Sequence, residues 1–163
     1  SPETVTKNKA PRTTEPDFIM NKESAPKKKI YLSGPIMDEH EGAARAWREL
    51  AKKVLGKDFL LLDPMRRNFK DREVDSANEI VEFDLQDVRD ADILLVNYNK
   101  PSIGTAMEVF YASQNLGKFV VAFSPYSFKD SSPWMVRYCT KILPDLESAM
   151  TYLKDHFLKN HYG

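Results

Sequence analysis

The segment Asn99-Lys100-Pro101-Ser102-Ile103-Gly104-Thr105-Ala106-Met107-Glu108 joins an apolar run to a helical pattern and ends on an acid. Gly104 lets the backbone approach a ligand closely. Glu108 falls in the first turns of the helix, where the dipole favours an anion, so it is expected to be ionised at pH 7. An ionised carboxylate facing a crevice is a candidate nucleophile for glycosyl transfer. The plainer role is to complement the dipole. A second segment, Val81 to Asp92, holds five acids in twelve residues. Most acids in such a run face solvent. Asp84 differs, because it lies one helical turn from Ile80 and Val88 and so borders the buried face. An acid there is costly without a partner, which makes Asp84 a candidate general acid/base beside Glu108. Asp92, just before an apolar run, reads as a cap or turn residue. Tyr31 lies within Lys29-Ile30-Tyr31-Leu32-Ser33. Its hydroxyl is placed to reach a carboxylate, although a core tyrosine has the same pattern.

Other chemistries lack their residues. The chain has no GxGxxG and no GxxxxGK[ST], which argues against a dinucleotide oxidoreductase and a P-loop kinase. No Ser/His/Asp set is apparent, and His40 has no obvious partner. The one cysteine, Cys139, excludes an internal disulfide framework and a Cys-based zinc site. The three histidines, His40, His156 and His161, are too scattered to suggest a metal cluster. Arg66 and Arg67 read either as phosphate ligands or as a solvated loop.

The elements that must position these residues follow from apolar patterning. Lys29–Ser33, Phe59–Leu62, Ile93–Val96, Phe119–Phe123 and Lys141–Leu143 read as strands. Glu41 to Leu55 places Ala44, Trp47, Leu50, Ala51 and Val54 at helical spacing, and Gly56 stops it. Asp75 or Ser76 caps a helix carrying Ile80, Phe83, Leu85 and Val88. Gly104–Leu116, closed by Gly117, and Asp145–Leu158 are the remaining helices. Strands that are continuous apolar runs, alternating with helices, predict a parallel sheet buried on both faces. The fold class expected is α/β, a flavodoxin-like (Rossmann-like) doubly wound five-stranded parallel sheet. Ligands in such sheets sit beyond the carboxyl ends of the strands. Ser33–Ile36, Asp63–Arg67, Asn97–Gly104 and the residues from Ser124 onward then line one crevice.

The whole chain has 163 residues, 24 Lys+Arg and 24 Asp+Glu, for a formal net charge of zero. That balance argues against a nucleic-acid polymer as partner, which calls for excess cations. The balance is uneven along the chain. Residues 1–29 carry seven basic against four acidic residues and four of the ten prolines, whereas Ile30 onward carries 17 against 20. Residues 1–28 are expected to be a disordered basic tail, and 29–163 a single catalytic domain. No apolar run approaches membrane-spanning length, and no signal-peptide pattern is present. A cytoplasmic location is expected.

Taken together, three motifs resemble one family. Lys29-Ile30-Tyr31-Leu32-Ser33-Gly34-Pro35, Asp84-Leu85 followed by Asp90-Ala91-Asp92, and Gly104-Thr105-Ala106-Met107-Glu108 stand in the order and spacing of the nucleoside 2-deoxyribosyltransferases. The likeness extends over residues 29–143, and Ser132-Pro133-Trp134-Met135-Val136-Arg137-Tyr138 is similar to the family's late loop and helix. The resemblance implies a small-molecule nucleoside or nucleotide substrate and no cofactor. It implies that Glu108 attacks the anomeric carbon to form a covalent deoxyribosyl ester. Asp84 then handles the proton of the departing and incoming base, and Tyr31 orients the glutamate. Gly34, Pro35, Ile36, Ser102, Gly104, Ser131, Ser132 and Trp134 become substrate-binding candidates. The resemblance also implies a homo-oligomer whose neighbouring subunit completes the pocket with the late loop. Where transferases of free nucleosides often carry an acid, this chain has Lys100-Pro101-Ser102. A serine donates to a 5′-phosphate that an acid would repel, as in the related 5′-monophosphate N-glycosidases. Those hydrolases often place Ser and Arg after the strand-one glycine, where Pro35 and Met37 stand here. Transfer to a base and transfer to water both stay open. The alternative of another class is a non-catalytic nucleotide-binding module, which has no need of two carboxylates in one crevice. A phosphoribohydrolase of the hormone-activating group is disfavoured by the missing Pro-Gly-Gly.

Overall fold

Short runs of branched and aromatic side chains, closed by Gly-Pro, Asp-Pro or Asn, dictate strands here. The computed structural model describes residues 26–37, 40–69, 72–126 and 130–159. Residues 1–25 of the expected tail, and His161, lie outside them. Five strands form one sheet: β1 (Lys29–Ser33), β2 (Leu60–Leu62), β3 (Ile93–Asn97), β4 (Phe119–Phe123) and β5 (Lys141–Leu143). Their order is β2-β1-β3-β4-β5, and every pair is parallel. The helices α1 (Glu41–Leu55), α2 (Ala77–Asp90), α3 (Ile103–Phe110) and α4 (Pro133–Tyr138) make the crossovers, and α5 (Leu146–Lys154) follows β5. This is the flavodoxin-like order, with its switch point between β1 and β3.

Period-two alternation along β1 sends neighbouring side chains into different layers. Ile30 and Leu32 pack with Trp47, Ala51 and Leu55 of α1 and Ala149 and Leu153 of α5. Tyr31 packs on the opposite face with Val88 of α2, Val109 of α3, Ala112 and Met135 of α4. Tyr31 thereby faces the same layer as α2 and α3, the helices that carry the two candidate carboxylates. Asp92 is structural: its Oδ2 accepts the Lys29 backbone N–H at 2.8 Å, beside the start of β1.

The boundaries, faces or caps of four helices differ from expectation. The α1 stripe buries Ala44, Trp47, Arg48, Ala51 and Leu55, while Leu50 is 46% exposed. An arginine occupies the centre of an apolar face. On α2 the inward stripe is Ile80, Asp84, Asp87 and Val88, spaced i, i+4, i+7 and i+8, so Phe83 turns outward and is 48% exposed. Ser76 precedes α2 without a side-chain capping bond. The helix expected from Gly104 to Leu116 starts at Ile103 and turns π-helical over Tyr111–Asn115. It ends where Gly117, at φ 61°, lets the Gly117 and Lys118 amides fold back onto the Ser113 and Ala112 carbonyls. The last helix likewise turns π-helical at Asp155–Lys159. His40 also finds a role, because its Nδ1 accepts the Gly42 amide at 3.2 Å and caps α1. Among the described residues no helix is long and apolar enough to cross a membrane.

Candidate active site

The site is built where β1 ends beside β3, under the first turns of α3. Residues Thr105, Glu108, Val109 and Ala112 share one helical stripe, and Thr105, Val109 and Ala112 are buried against the sheet. Glu108 is therefore carried inward by the same packing that seats the helix. Its carboxylate accepts two hydroxyl hydrogen bonds from one strand. Tyr31 Oη donates to Oε2 at 2.6 Å, and Ser33 Oγ donates to Oε1 at 2.8 Å. Tyr31 and Ser33 are two residues apart on β1, so strand pleating aims both at one side. Two donors on one carboxylate fix its plane and leave little freedom of rotation.

Glu108 does not have the ordinary glutamate acidity expected above. Burial, and then the nearby charge of Asp84, push its pKa up from 4.5 to about 7, against the lowering effect of the Tyr31 and Ser33 hydrogen bonds. The helix dipole fails to hold it down because Glu108 lies beyond the first turn of a helix that begins at Ile103, where the dipole's influence has faded. Asp84 is also raised, chiefly by burial, in spite of its bond from Arg67. Tyr31 is raised well above its usual value by burial and by Glu108 and Asp84, so it stays a donor. Two carboxyls and a phenol thus share a site that disfavours negative charge. The charge of Asp84 is one of the causes that raise Glu108, so the two ionisations are linked.

Asp84 is held from the loop after β2. Arg67 Nη2 donates to Asp84 Oδ1 at 3.0 Å and to Asp87 Oδ2 at 2.8 Å. Arg66 clamps Asp87 with two bonds of 2.7 and 2.9 Å. Burial alone would raise Asp87, but these arginines bring it below its usual value. Both arginines, expected as phosphate ligands or a solvated loop, are engaged by acids of α2. Arg67 also stacks over Phe83, 5.3 Å from the ring centroid.

The other sequence candidates take different positions. Gly34 is a packing requirement, since a Cβ there would meet Asn97 Cβ and Trp47 Cζ2 at 3.0 Å. Pro35 is buried and Ile36 is 41% exposed, both just past the end of β1. Ser102 caps α3: its Oγ accepts from Thr105 Oγ1 at 3.0 Å and from the Thr105 amide at 3.4 Å. Gly104 is exposed, and a Cβ there would meet nothing within 4 Å. Ser132 caps α4 by accepting the Trp134 amide at 3.3 Å. Trp134, 67% exposed, lines a small cleft with Ala106, Val109 and Phe110 of α3 and Met135 and Tyr138 of α4. Cys139 has its pKa pushed up by burial to about 12 and is no nucleophile. Among the described residues no group of three or more His, Cys, Asp or Glu is arranged to hold a metal ion.

The sequence placed Ser33 in the crevice without a role of its own, and it left Arg48 unnoticed. Ser33 was signalled by its spacing from Tyr31: whatever Tyr31 faces, Ser33 faces too. Arg48 was signalled by lying four residues after Ala44 and three before Ala51, inside the apolar stripe.

The geometry can be set beside known proteins. The profile of the family described as nucleoside 2-deoxyribosyltransferase matches residues 30–136. No curated protein matches the chain. Among solved structures, a 2-deoxyribosyltransferase from the bacterium Bacillus psychrosaccharolyticus is 22% identical, with a TM-score of 0.60 over 76% of this chain and 91% of its own. A CMP N-glycosidase from Clostridium botulinum is 16% identical, with a TM-score of 0.50 over 78% of this chain and 99% of its own. A response regulator from Thermotoga maritima is 13% identical, with a TM-score of 0.51 over 79% and 96%. Structures this distant share the fold and decide nothing about chemistry. The family profile goes further, running from β1 through both carboxylate-bearing helices into α4, and by it the chain belongs to the nucleoside 2-deoxyribosyltransferase family.

Proposed function

We propose that this protein is an enzyme that cleaves the N-glycosidic bond of 2′-deoxynucleosides or their 5′-monophosphates. The observation that carries the reading is the Glu108 carboxylate, fixed by the Tyr31 and Ser33 hydroxyls and electrostatically coupled to Asp84. Glu108 attacks C1′ of the sugar, and the N-glycosidic bond breaks with its electron pair going to the base. Asp84 gives that base a proton. The resulting glutamyl-deoxyribosyl ester is then attacked at C1′ by an acceptor base nitrogen or by water, with Asp84 taking the proton and Glu108 released as carboxylate. Two displacements at one carbon retain the β configuration. The productive form has Glu108 ionised and Asp84 protonated. Burial moves Asp84 in the direction a proton donor needs, and the Tyr31 and Ser33 hydrogen bonds favour the ionised form of Glu108.

Ser102 supports the monophosphate as a substrate. Its oxygen accepts twice from Thr105, which leaves its own hydroxyl proton to donate elsewhere, at the start of a helix that favours anions. Assembly into a homo-oligomer belongs to the same reading, and the exposed Trp134, Ile103 and Met107 support it.

The test is to incubate the protein with deoxynucleosides and with their 5′-monophosphates, with and without an acceptor base. Free base from monophosphates regardless of acceptor selects hydrolysis. A swapped base appearing only with acceptor selects transfer. Glu108→Ala should lose turnover while still binding substrate by calorimetry; full activity in that variant would refute the covalent route.

A further inference from the structure

Arg48 is fully buried, yet nothing in the proposed chemistry employs it. Its guanidinium sits under the end of β1, reaching it from α1 on the opposite face of the sheet from Glu108. Nε donates to the Leu32 carbonyl at 3.3 Å, and Nη2 donates to the Gly34 carbonyl at 3.0 Å. These carbonyls flank Ser33, one of the two donors to Glu108. Nη1 donates to the Ala44 carbonyl of its own helix at 2.9 Å and approaches Met65 Sδ at 3.5 Å. The guanidinium also stacks over Trp47, 4.7 Å from the ring centroid. Five fixed donors make an arginine suited to bracing several carbonyls at once.

Its charge is only loosely paired. The carboxylate beside it, Asp63, has Oδ1 3.9 Å from Nε. That oxygen already accepts the Met65 amide at 2.8 Å, and Oδ2 accepts from Lys52 at 2.9 Å. A buried cation with a partner shared in this way keeps much of its field. Glu108 is faced by Tyr31 and Ser33 from β1, by Asp84 from α2 with its Arg67, and by this positive charge from α1, which counters the Asp84 charge.

We propose that Arg48 is a positioning residue: it holds the Leu32–Gly34 backbone so that Ser33 meets the Glu108 carboxylate, and its buried charge favours the anionic form of that carboxylate. The inference rests on the reading of Glu108 as nucleophile for its meaning, but its first test does not need activity. The full chain is labelled with 13C at the glutamate carboxyls, and the Glu108 signal is identified by its loss in Glu108→Gln. Arg48→Met, checked for folding by circular dichroism, should move the Glu108 titration midpoint up by about half a pH unit or more. Arg48→Lys keeps the charge but not the fork. It should leave the midpoint near that of the wild type and lower kcat about tenfold at little-changed KM. A folded Arg48→Met with an unmoved Glu108 midpoint overturns the proposal. Should Arg48→Met fail to fold, Arg48→Lys decides: wild-type kcat overturns the proposal, and a reduced kcat with the midpoint kept upholds it. A wild-type chain that cleaves no nucleoside or nucleotide refutes the catalytic reading instead, and the titration still tests Arg48.

Discussion

Tyr31 and Glu108 are 77 residues apart in sequence and 2.6 Å apart in space. That hydrogen bond is one of two that oppose the rise in the Glu108 pKa, on which the proposed attack at C1′ depends. Glu108 must be ionised to act as a nucleophile, and the Tyr31 bond is among the causes that hold its raised pKa to about 7 against burial and the charge of Asp84. Tyr31→Phe removes one donor without opening a cavity, since the ring stays in the layer of Val88 and Val109. A hydrogen bond to a charged group contributes about 1.5–3 kcal/mol. Tyr31→Phe should therefore lower kcat/KM about tenfold or more at neutral pH and move the acid limb of its pH profile upward, with the deficit shrinking toward high pH. Profiles of wild type and variant measured side by side check this. An unshifted acid limb would mean that Tyr31 merely packs.

At the scale of elements, the strands and helices were legible because each is a contiguous pattern. Apolar runs such as Phe119–Phe123 have no polar alternative, and the predicted bounds of α1, β4 and β5 coincide with those of the structure. The site was legible only in part, since its determinants are relations between elements. Asp84 and Tyr31 each stood out as a polar residue on an apolar pattern, and Glu108 as an acid in the first turns of a helix that opens from a strand end. The pairing of Arg66 and Arg67 with Asp87 was not readable, because it spans about twenty residues and two elements. The acidity of Glu108 was misread because burial and the charge of Asp84, both set by packing between elements, outweigh what a helix start does for a carboxylate. Gly104 turns this lesson into a prediction. It is the second residue of α3, and a Cβ there would meet nothing within 4 Å. No packing within the described structure calls for glycine. Gly104→Ala should therefore raise stability by about 0.5–1 kcal/mol. If a glycine stands here so that substrate can approach the backbone, the same variant should raise KM severalfold. Denaturant unfolding and substrate titration on one preparation decide it, and an unchanged KM would remove Gly104 from the binding site.

For the whole molecule, a site that disfavours negative charge is a cost in stability that varies with pH. In the unfolded chain Glu108 loses its proton near the ordinary value of 4.5, whereas in the folded state it keeps it to about 7. Between those values the folded protein binds a proton that the unfolded chain has released. Stability therefore falls as pH rises through that window, and the loss is complete above it. The gap corresponds to about 3 kcal/mol, as an upper figure. Glu108→Gln preserves the shape and the partners of the side chain but cannot ionise. The variant should match the wild type near about pH 4 and exceed it by up to about 3 kcal/mol near about pH 8.5. Asp84 moves the comparison the same way, since its own ionisation is easier once Glu108 is neutral. Urea unfolding of both proteins at the two pH values gives the difference directly. A stability difference that stays constant with pH would show that Glu108 titrates as an ordinary surface carboxylate, and the pair would lose its claim to be a catalytic centre.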